Sequence, residues 1–412
     1  MAGRRRSEID EGDFGGLKYI EAVSGLLGRL RGEACARDKA GNRRLYYDQY
    51  CMLVLLFLFN PIVGSLRAIQ QASQLKKVQK LLGCSRSSLG SLSEAATVFD
   101  AERLPEIIRE LAQQLQPLQR DARLKDVQHA LTLVDGSLLS ALPKLVHAVG
   151  LKAQTGSGQV KWRLHAHFEV DRGVPLRVDV TEGSGKGKSN ERHVLEQNLQ
   201  PDRCYVMDRG YAKFELFNAI HRLQSSYVCR IRDNSHWETE ETRELTHEDL
   251  AAGIVSDQVV KLGNRSSTSS ARMDHQVRVI VVQATPHPKR GKTGGGSAGH
   301  PSDGWLRIVT NLLDVPASII ALIYRYRWTI EIFFRFLKHV LGCRHLLSHD
   351  ENGIKIQTYC AIIACLLISL WTGRKPTLRT YEMICYYFSG LAAEDELLSH
   401  IAKLQEQPAA KS

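Results

Sequence analysis

The sequence predicts an α/β chain in which a mixed-sheet core carries a β-rich insertion and is flanked by helical N- and C-terminal regions. Three observations predict it. Helical periodicity dominates the chain up to about residue 125 and again beyond Gly342. From Ala130 the texture changes to short strands separated by helical segments. Between Asp233 and Gly304, strand-like runs are separated by polar, Ser- and Gly-rich stretches, before helical periodicity returns near Pro316.

The first elements are helical. Leu17 to Leu30 is a helix candidate within a charged start, and Tyr46 to Phe59 is an apolar helix ended by Asn60-Pro61. Ser65 to Lys80 is basic and amphipathic. In Cys84 to Ala96 the serines can cap a helix whose first turn carries Glu94. That helix, a Ser/Gly turn and its neighbour have two readings: a helix-turn-helix that docks on DNA, or an ordinary all-helical packing unit. Glu102 to Leu118 leads into the next domain.

The core follows. Leu131 to Val134 is an apolar strand ending at Asp135. Trp162 to Val170 alternates, with Arg163, His165 and His167 on the polar side, as a half-buried strand does. Asp171-Arg-Gly turns the chain into a strand from Pro175 to Val180. Then come a helix (Asn190 to Leu199), a strand (Cys204 to Met207) ending at Asp208, a helix (Tyr211 to Leu223) and a strand (Tyr227 to Ile231). Three strands, helix, strand, helix, strand is the order of the ribonuclease-H-like fold, which next requires a helix. An insertion delays it, with strand-like runs at Asp257 to Lys261 and Gln276 to Val282, a basic loop from Thr285 to Gly304, and a strand from Trp305 to Thr310. The expected domains are 1–125 (helical), 126–232 with 311–345 (ribonuclease-H-like core), 233–310 (β-rich insertion) and 346–412 (helical).

Composition narrows the function classes. The 412 residues are 43% hydrophobic and 24% charged, a globular balance, and the net charge of +11 favours a polyanionic partner. Basic patches stand at Gly3 to Arg6, Leu75 to Lys80 and Pro288 to Lys292. The nine cysteines are dispersed and contain no Cys-x-x-Cys pair, which argues for a reducing compartment and against a zinc ribbon or disulfide scaffold. The basic start runs into acidic residues and not an apolar segment, so no signal peptide is expected. Met52 to Phe59 and Tyr359 to Trp371 fall short of a bilayer span and read as core helices of a soluble protein.

Three carboxylates carry the chemistry. Asp135 closes the first core strand, Asp208 the fourth, and Glu331 lies on the late helix. In a ribonuclease-H-like sheet those strands are neighbours and the late helix packs beside them, so the three acids converge. Hard oxygen ligands suit Mg²⁺, with Mn²⁺ as a substitute, and two ions about 4 Å apart activate an attacking oxygen and stabilise a departing one. Tyr324 to Lys338 reads as one helix, with Glu331 four residues after Arg327 and seven before Lys338, on roughly one face. Arg327 as a fork and Lys338 as a point charge would grip phosphates. Tyr324 would donate to a phosphate, stack near a base or simply pack in the core. Arg209, beside Asp208, is a further phosphate contact. Gly183 to Ser189 imitates a phosphate-binding loop, but Glu182 stands where the pattern needs glycine. His165 and His167 lack a third ligand nearby and read as satisfied or solvent-facing histidines.

Tyr324, Arg327, Glu331 and Lys338 match, spacing for spacing, the Tyr-(2)-Arg-(3)-Glu-(6)-Lys signature of the IS4-family bacterial DDE transposases, which this chain resembles. Leu-Val-Asp135-Gly-Ser and Val-Met-Asp208-Arg-Gly-Tyr resemble the family's two aspartate motifs, and the likeness covers at least Leu131 to His345, insertion included. The resemblance implies a metal-dependent enzyme that binds terminal inverted repeats of an insertion sequence as a homodimer. It would nick each end and join the freed 3′-hydroxyl to target DNA, in the bacterial cytoplasm, with no nucleotide cofactor and no membrane. It also implies a tryptophan of the insertion holding an extruded base, with Trp305 first and Trp237 as the alternative. Two other readings stand beside it: a metal-dependent nuclease of the same fold, and a non-catalytic DNA-end-binding inhibitor derived from a transposase.

Overall fold

The structure is a computed structural model that describes residues 17–33, 43–117, 121–140, 161–184, 187–263, 272–283, 304–339, 346–348 and 350–406. The basic patches at Gly3 to Arg6 and Pro288 to Lys292, the loop from Thr285 up to Gly304, Cys35 and Cys343 lie outside them. The chain divides into two compact units, one of Gln119–Ser140 and Val160–Phe334, the other of Met1–Leu118, Ala141–Gln159 and Arg335–Ser412.

The first unit is a mixed α/β body around one nine-stranded sheet. Its strands are β1 (Ala130–Ser140), β2 (Lys161–Glu169), β3 (Val174–Glu182), β4 (Arg203–Met207), β5 (Ser226–Arg230), β6 (Trp237–Thr242), β7 (Ile254–Leu262), β8 (Val277–Gln283) and β9 (Trp305–Thr310). They lie in the order β3-β2-β1-β4-β5-β9-β8-β7-β6. β1, β4 and β5 are parallel, and every other pairing is antiparallel. The four strands of the insertion therefore continue the core sheet: β9 docks on β5 and satisfies an edge that would otherwise present unpaired backbone groups. β6 and the short helix His247–Ala251 are elements the sequence pattern does not announce. One face of the sheet buries Val134, Tyr205, Met207, Tyr227, Cys229, Val279 and Val309 beneath Leu216, Phe217 and Ile220 of the helix Phe214–Arg222.

Three expectations change. β1 does not stop at Asp135. Its parallel pairing with β4 ends at Leu133↔Val206, while its antiparallel pairing with β2 runs on to Ser140↔Lys161, so the strand survives the loss of one partner. The Tyr324 to Lys338 segment is two helices, Ala317–Tyr326 and Trp328–His339, joined through Arg327. There the ladder tightens to three-residue bonds, Arg327 N–H to Tyr324 O at 3.1 Å and Ile330 N–H to Arg327 O at 3.3 Å. The polar side of β2 is not wet either. His165 and His167 are buried, at 2% and 6% exposure. His165 Nε2 pairs with Thr181 Oγ1 at 2.8 Å, and His167 meets Tyr205 edge to face.

The second unit is helical in its described part. Its centre is the helix Glu351–Thr372, which packs against Tyr47–Phe59, Leu89–Val98 and Leu104–Gln114. Asp350 caps its start, and Asn352 ties it to the chain around Phe99 by accepting from Ala101 N–H at 3.0 Å and donating to Ala96 O at 2.8 Å. Glu351–Thr372 is the one helix among the described residues long and apolar enough to cross a membrane, and its apolar window is 89% buried within the protein. The serine caps are present: Ser65 Oγ accepts from Ala68 N–H at 3.1 Å and Ser88 Oγ from Ser91 N–H at 3.0 Å. Glu94 lies in the second turn of Leu89–Val98 and not the first. All seven described cysteines are buried and unbridged.

Candidate active site

Strand register brings the two aspartates together. β1 and β4 pair with a constant offset of 73 residues, Ala130↔Arg203 through Leu133↔Val206, and Asp135 and Asp208 keep the same offset. Each therefore sits two residues beyond the last paired position, at one level on neighbouring strands. Each is also held by a local backbone donor. Gly136 N–H donates to Asp135 Oδ1 at 2.8 Å, and Gly210 N–H donates to Asp208 Oδ1 at 2.7 Å, so Asp208 caps the short turn Arg209–Tyr211. Burial raises the Asp135 carboxyl to about 7. The Gly136 N–H opposes that rise, the Asp208 charge adds to it, Arg327 opposes it, and Glu191 adds to it again.

Arg327 links the third acid to this pair. Its guanidinium donates to Glu331 Oε1 at 2.7 Å and stands 3.8 Å from Asp135 Oδ2, half-buried between them. Arg327, at the junction of the two helices, lies one turn before Glu331, and its side chain also reaches Asp135 at the end of the β1–β4 pairing. The same guanidinium lies 5.9 Å from the Tyr324 ring centre. Burial pushes the Tyr324 hydroxyl up to about 12, so at neutral pH it is a protonated donor.

The other sequence-derived residues fall in distinct places. Lys338 is half-buried two turns along the Trp328–His339 helix, and Arg209 is exposed on the Asp208 turn. Trp305 starts β9, where Ile308 pairs with Arg230 at the C-terminal end of β5, so it extends past the same sheet end that carries the aspartates. Trp237 pairs with Leu262 at the opposite end of the sheet, and its Nε1 donates to Gln258 Oε1 at 3.1 Å.

One acid was missed by sequence reasoning. Glu191, on the helix Glu191–Glu196, lies against Gly136, where an added Cβ would meet its Oε1 at 2.3 Å. It is ion-paired with Arg163 of β2. No local signal marks it, since Glu191 lies 55 residues from Gly136 and only the fold joins them.

Asp135, Asp208 and Glu331 are all carboxylates, the donor class that divalent Mg²⁺ and Mn²⁺ take. Among the described residues, no group of three or more His, Cys, Asp or Glu side chains is close enough to hold a metal ion as it stands. Glu331 is turned onto Arg327, whose guanidinium places a positive charge between Glu331 and Asp135. The site thus holds a cation, the Arg327 guanidinium, between two of its acids.

Comparisons with known proteins agree with this chemistry. The profile of the family described as "Transposase DDE domain" matches residues 127–367. The protein named as transposase y4zB of Sinorhizobium fredii is 23% identical over 212 residues, 50% of this chain and 52% of that protein. The one named as a transposase for insertion sequence element IS5377 of Geobacillus stearothermophilus is 28% identical over 207 residues, 50% of this chain and 48% of that protein. A third, named as a transposase for insertion sequence element IS4SA of Synechocystis, is 23% identical over 290 residues, 68% of this chain and 71% of that protein. The chain thus spans about half the length of the first two relatives.

Proposed function

The chain belongs to the transposase DDE domain family, and on that premise we propose that it is a DNA transposase of the IS4 type. It cleaves at the terminal inverted repeats of an insertion sequence and joins the freed 3′-hydroxyl ends to target DNA. The observation that carries this reading is the shared register of Asp135 and Asp208, with Arg327 reaching from Asp135 to Glu331. The order β3-β2-β1-β4-β5 supports a ribonuclease-H-like core.

Asp135, Asp208 and Glu331 would hold Mg²⁺, or Mn²⁺ in its place, as two ions. When bound, such ions supply activation of the attacking water or 3′-hydroxyl and charge stabilisation at the departing oxygen. The chain's own residues do the rest. Gly136 and Gly210 N–H groups hold the two aspartates in place. Arg327 gives up Glu331 and forks onto a phosphate of the strand being cut, and Tyr324 donates its hydroxyl proton to the same backbone. Lys338 and Arg209 add charge along the DNA, and Trp305 offers an indole face to an extruded base. The helical 1–125 region reads the DNA ends, 233–310 is the insertion, and 346–412 contributes to a homodimer that synapses two ends. The protein works in the bacterial cytoplasm.

The test is cleavage and strand transfer of labelled DNA carrying the native element's end, with Mg²⁺, Mn²⁺ or chelator, for wild type and Glu331→Gln. Metal-dependent joining that the variant loses while end binding survives supports the reading. Tight end binding without cleavage in either protein overturns the catalytic claim and leaves an end-binding inhibitor. Hydrolysis without joining leaves a nuclease.

A further inference from the structure

Glu191 occupies a position that no motif assigns. Its carboxylate rests on Gly136, the residue directly after Asp135, and only a glycine there leaves room for it. Arg163 Nη1 donates to Glu191 Oε1, and the side chains of the pair are 21% and 25% exposed. Arg192, the next residue, donates to Gly210 O at 3.5 Å, so the start of this helix also touches the turn that Asp208 caps. A negative charge is therefore built in beside Asp135, with Arg163 as the one cation paired to it among the described residues.

A second observation lies on the Asp208 turn. The Tyr211 hydroxyl is fully buried and has no hydrogen-bond partner among the described residues, an arrangement that costs stability unless a water satisfies it. Tyr211 belongs to the Asp208 turn, with its N–H bonded to Asp208 O at 3.2 Å. The charges that its hydroxyl feels, after burial, are those of Glu191, Asp135 and Asp208, in that order. A buried donor left without a partner among the described residues, on the turn that Asp208 caps, is a group that an ordered water would satisfy. The carboxylates supply acceptors, and Tyr211 supplies a donor for a water of hydration.

We infer that Glu191 is a fourth carboxylate of the active site, adding its charge to the hydrated divalent cation that Asp135 and Asp208 hold, with Arg163 as its counter-charge and Tyr211 as a donor to the cation's water. This rests on the proposed metal-dependent function and deepens it. Glu191 acts through the cation's hydration shell, as partners outside the direct ligand set commonly do. Arg163 moderates the site, because its guanidinium competes with the cation for Glu191. The two residues therefore have opposite effects on cation affinity, a relation that a purely structural ion pair does not produce.

The test is a titration of the full-length chain with Mn²⁺ alone, with free ion read by electron paramagnetic resonance, for wild type and for Asp208→Asn, Glu191→Gln, Glu191→Asp and Arg163→Gln. Circular dichroism melts of each variant report folding. Glu191→Gln should weaken Mn²⁺ binding about tenfold, Glu191→Asp should restore part of it, and Arg163→Gln should tighten binding several-fold. Equal binding by Glu191→Gln and wild type, with Asp208→Asn defective, overturns this inference and leaves the proposed function standing. Equal binding by Asp208→Asn and wild type overturns both. Weakened binding and lowered melting in Glu191→Gln and Arg163→Gln alike overturns the inference in favour of a structural pair.

Discussion

Two arginine–carboxylate sites in the sheet unit behave differently in the fold. In the insertion, Arg278 meets Asp257 through a two-pronged contact, Nε to Oδ1 at 2.6 Å and Nη2 to Oδ2 at 2.5 Å, with both side chains at most 4% exposed. Its Nη1 also donates to Val315 O at 2.5 Å and Leu313 O at 3.2 Å, so the buried guanidinium is saturated. Arg327 has one short contact, to Glu331, and a longer one to Asp135, with 16% of its side chain exposed. The first pair is committed on every side and pins the loop before the Ala317–Tyr326 helix to the sheet. The second is divided between two acids and open to water, so it can exchange partners at small cost.

The sharpest way to break that comparison is Glu331→Gln. Strand transfer should fall by at least about a thousandfold, equivalent to roughly 4 kcal/mol of transition-state stabilisation. Unfolding in urea should shift by no more than about 1 kcal/mol, since glutamine keeps the side chain's size and an acceptor for Arg327, which also keeps Asp135 at 3.8 Å. A matching loss of stability would remove the distinction. Next, Arg278→Met should destabilise the chain by about 3–5 kcal/mol, because it strands the buried Asp257 carboxylate. Denaturant unfolding measures this, and a change under 1 kcal/mol would show that the pair is not a pin.

Acid should weaken the sheet unit through a third set of buried groups. Burial holds His165 and His167 neutral, with folded values of about 4 against an ordinary value near 6.5. The unfolded chain takes up these protons first, so the stability present above pH 6.5 is lost as pH falls from there toward 4. His167→Leu should flatten the dependence of urea midpoint on pH across that window, and an unchanged slope would assign acid sensitivity elsewhere. The smallest expected effect is that of Arg327→Ala on end binding. It should reduce the slope of log affinity against log salt by about one, while Arg278→Met leaves that slope unchanged in the folded fraction.

Much of this was legible in the chain. Asp135 and Asp208 follow apolar runs that read as strands, and the gap of 73 residues between them is the register of β1 on β4. Glu331 and Arg327 were legible from helical spacing, because residues four apart share a face whatever else the fold does. Elsewhere the local pattern misled. The alternation in β2 left His165 and His167 either satisfied or solvent-facing, and the fold buries both, because burial depends on what packs on a strand's faces and not on its own alternation. The helix read across Tyr324 to Lys338 breaks at Arg327, where helix-forming residues gave no warning of a tightened turn.

The sequence by itself determined the order of strands β1 to β5, the placing of Asp135 and Asp208 after apolar strand runs, and the face shared by Arg327 and Glu331. These depend on periodicities of two and 3.6 residues and on interactions close along the chain. Only the tertiary structure decided that β9 joins β5, that Trp305 and Trp237 lie at opposite ends of one sheet, and that Glu191 rests on Gly136. Those facts depend on contacts between segments tens of residues apart. Packing and the pairing of buried charge select such contacts, and neither leaves a mark in the local pattern of residues.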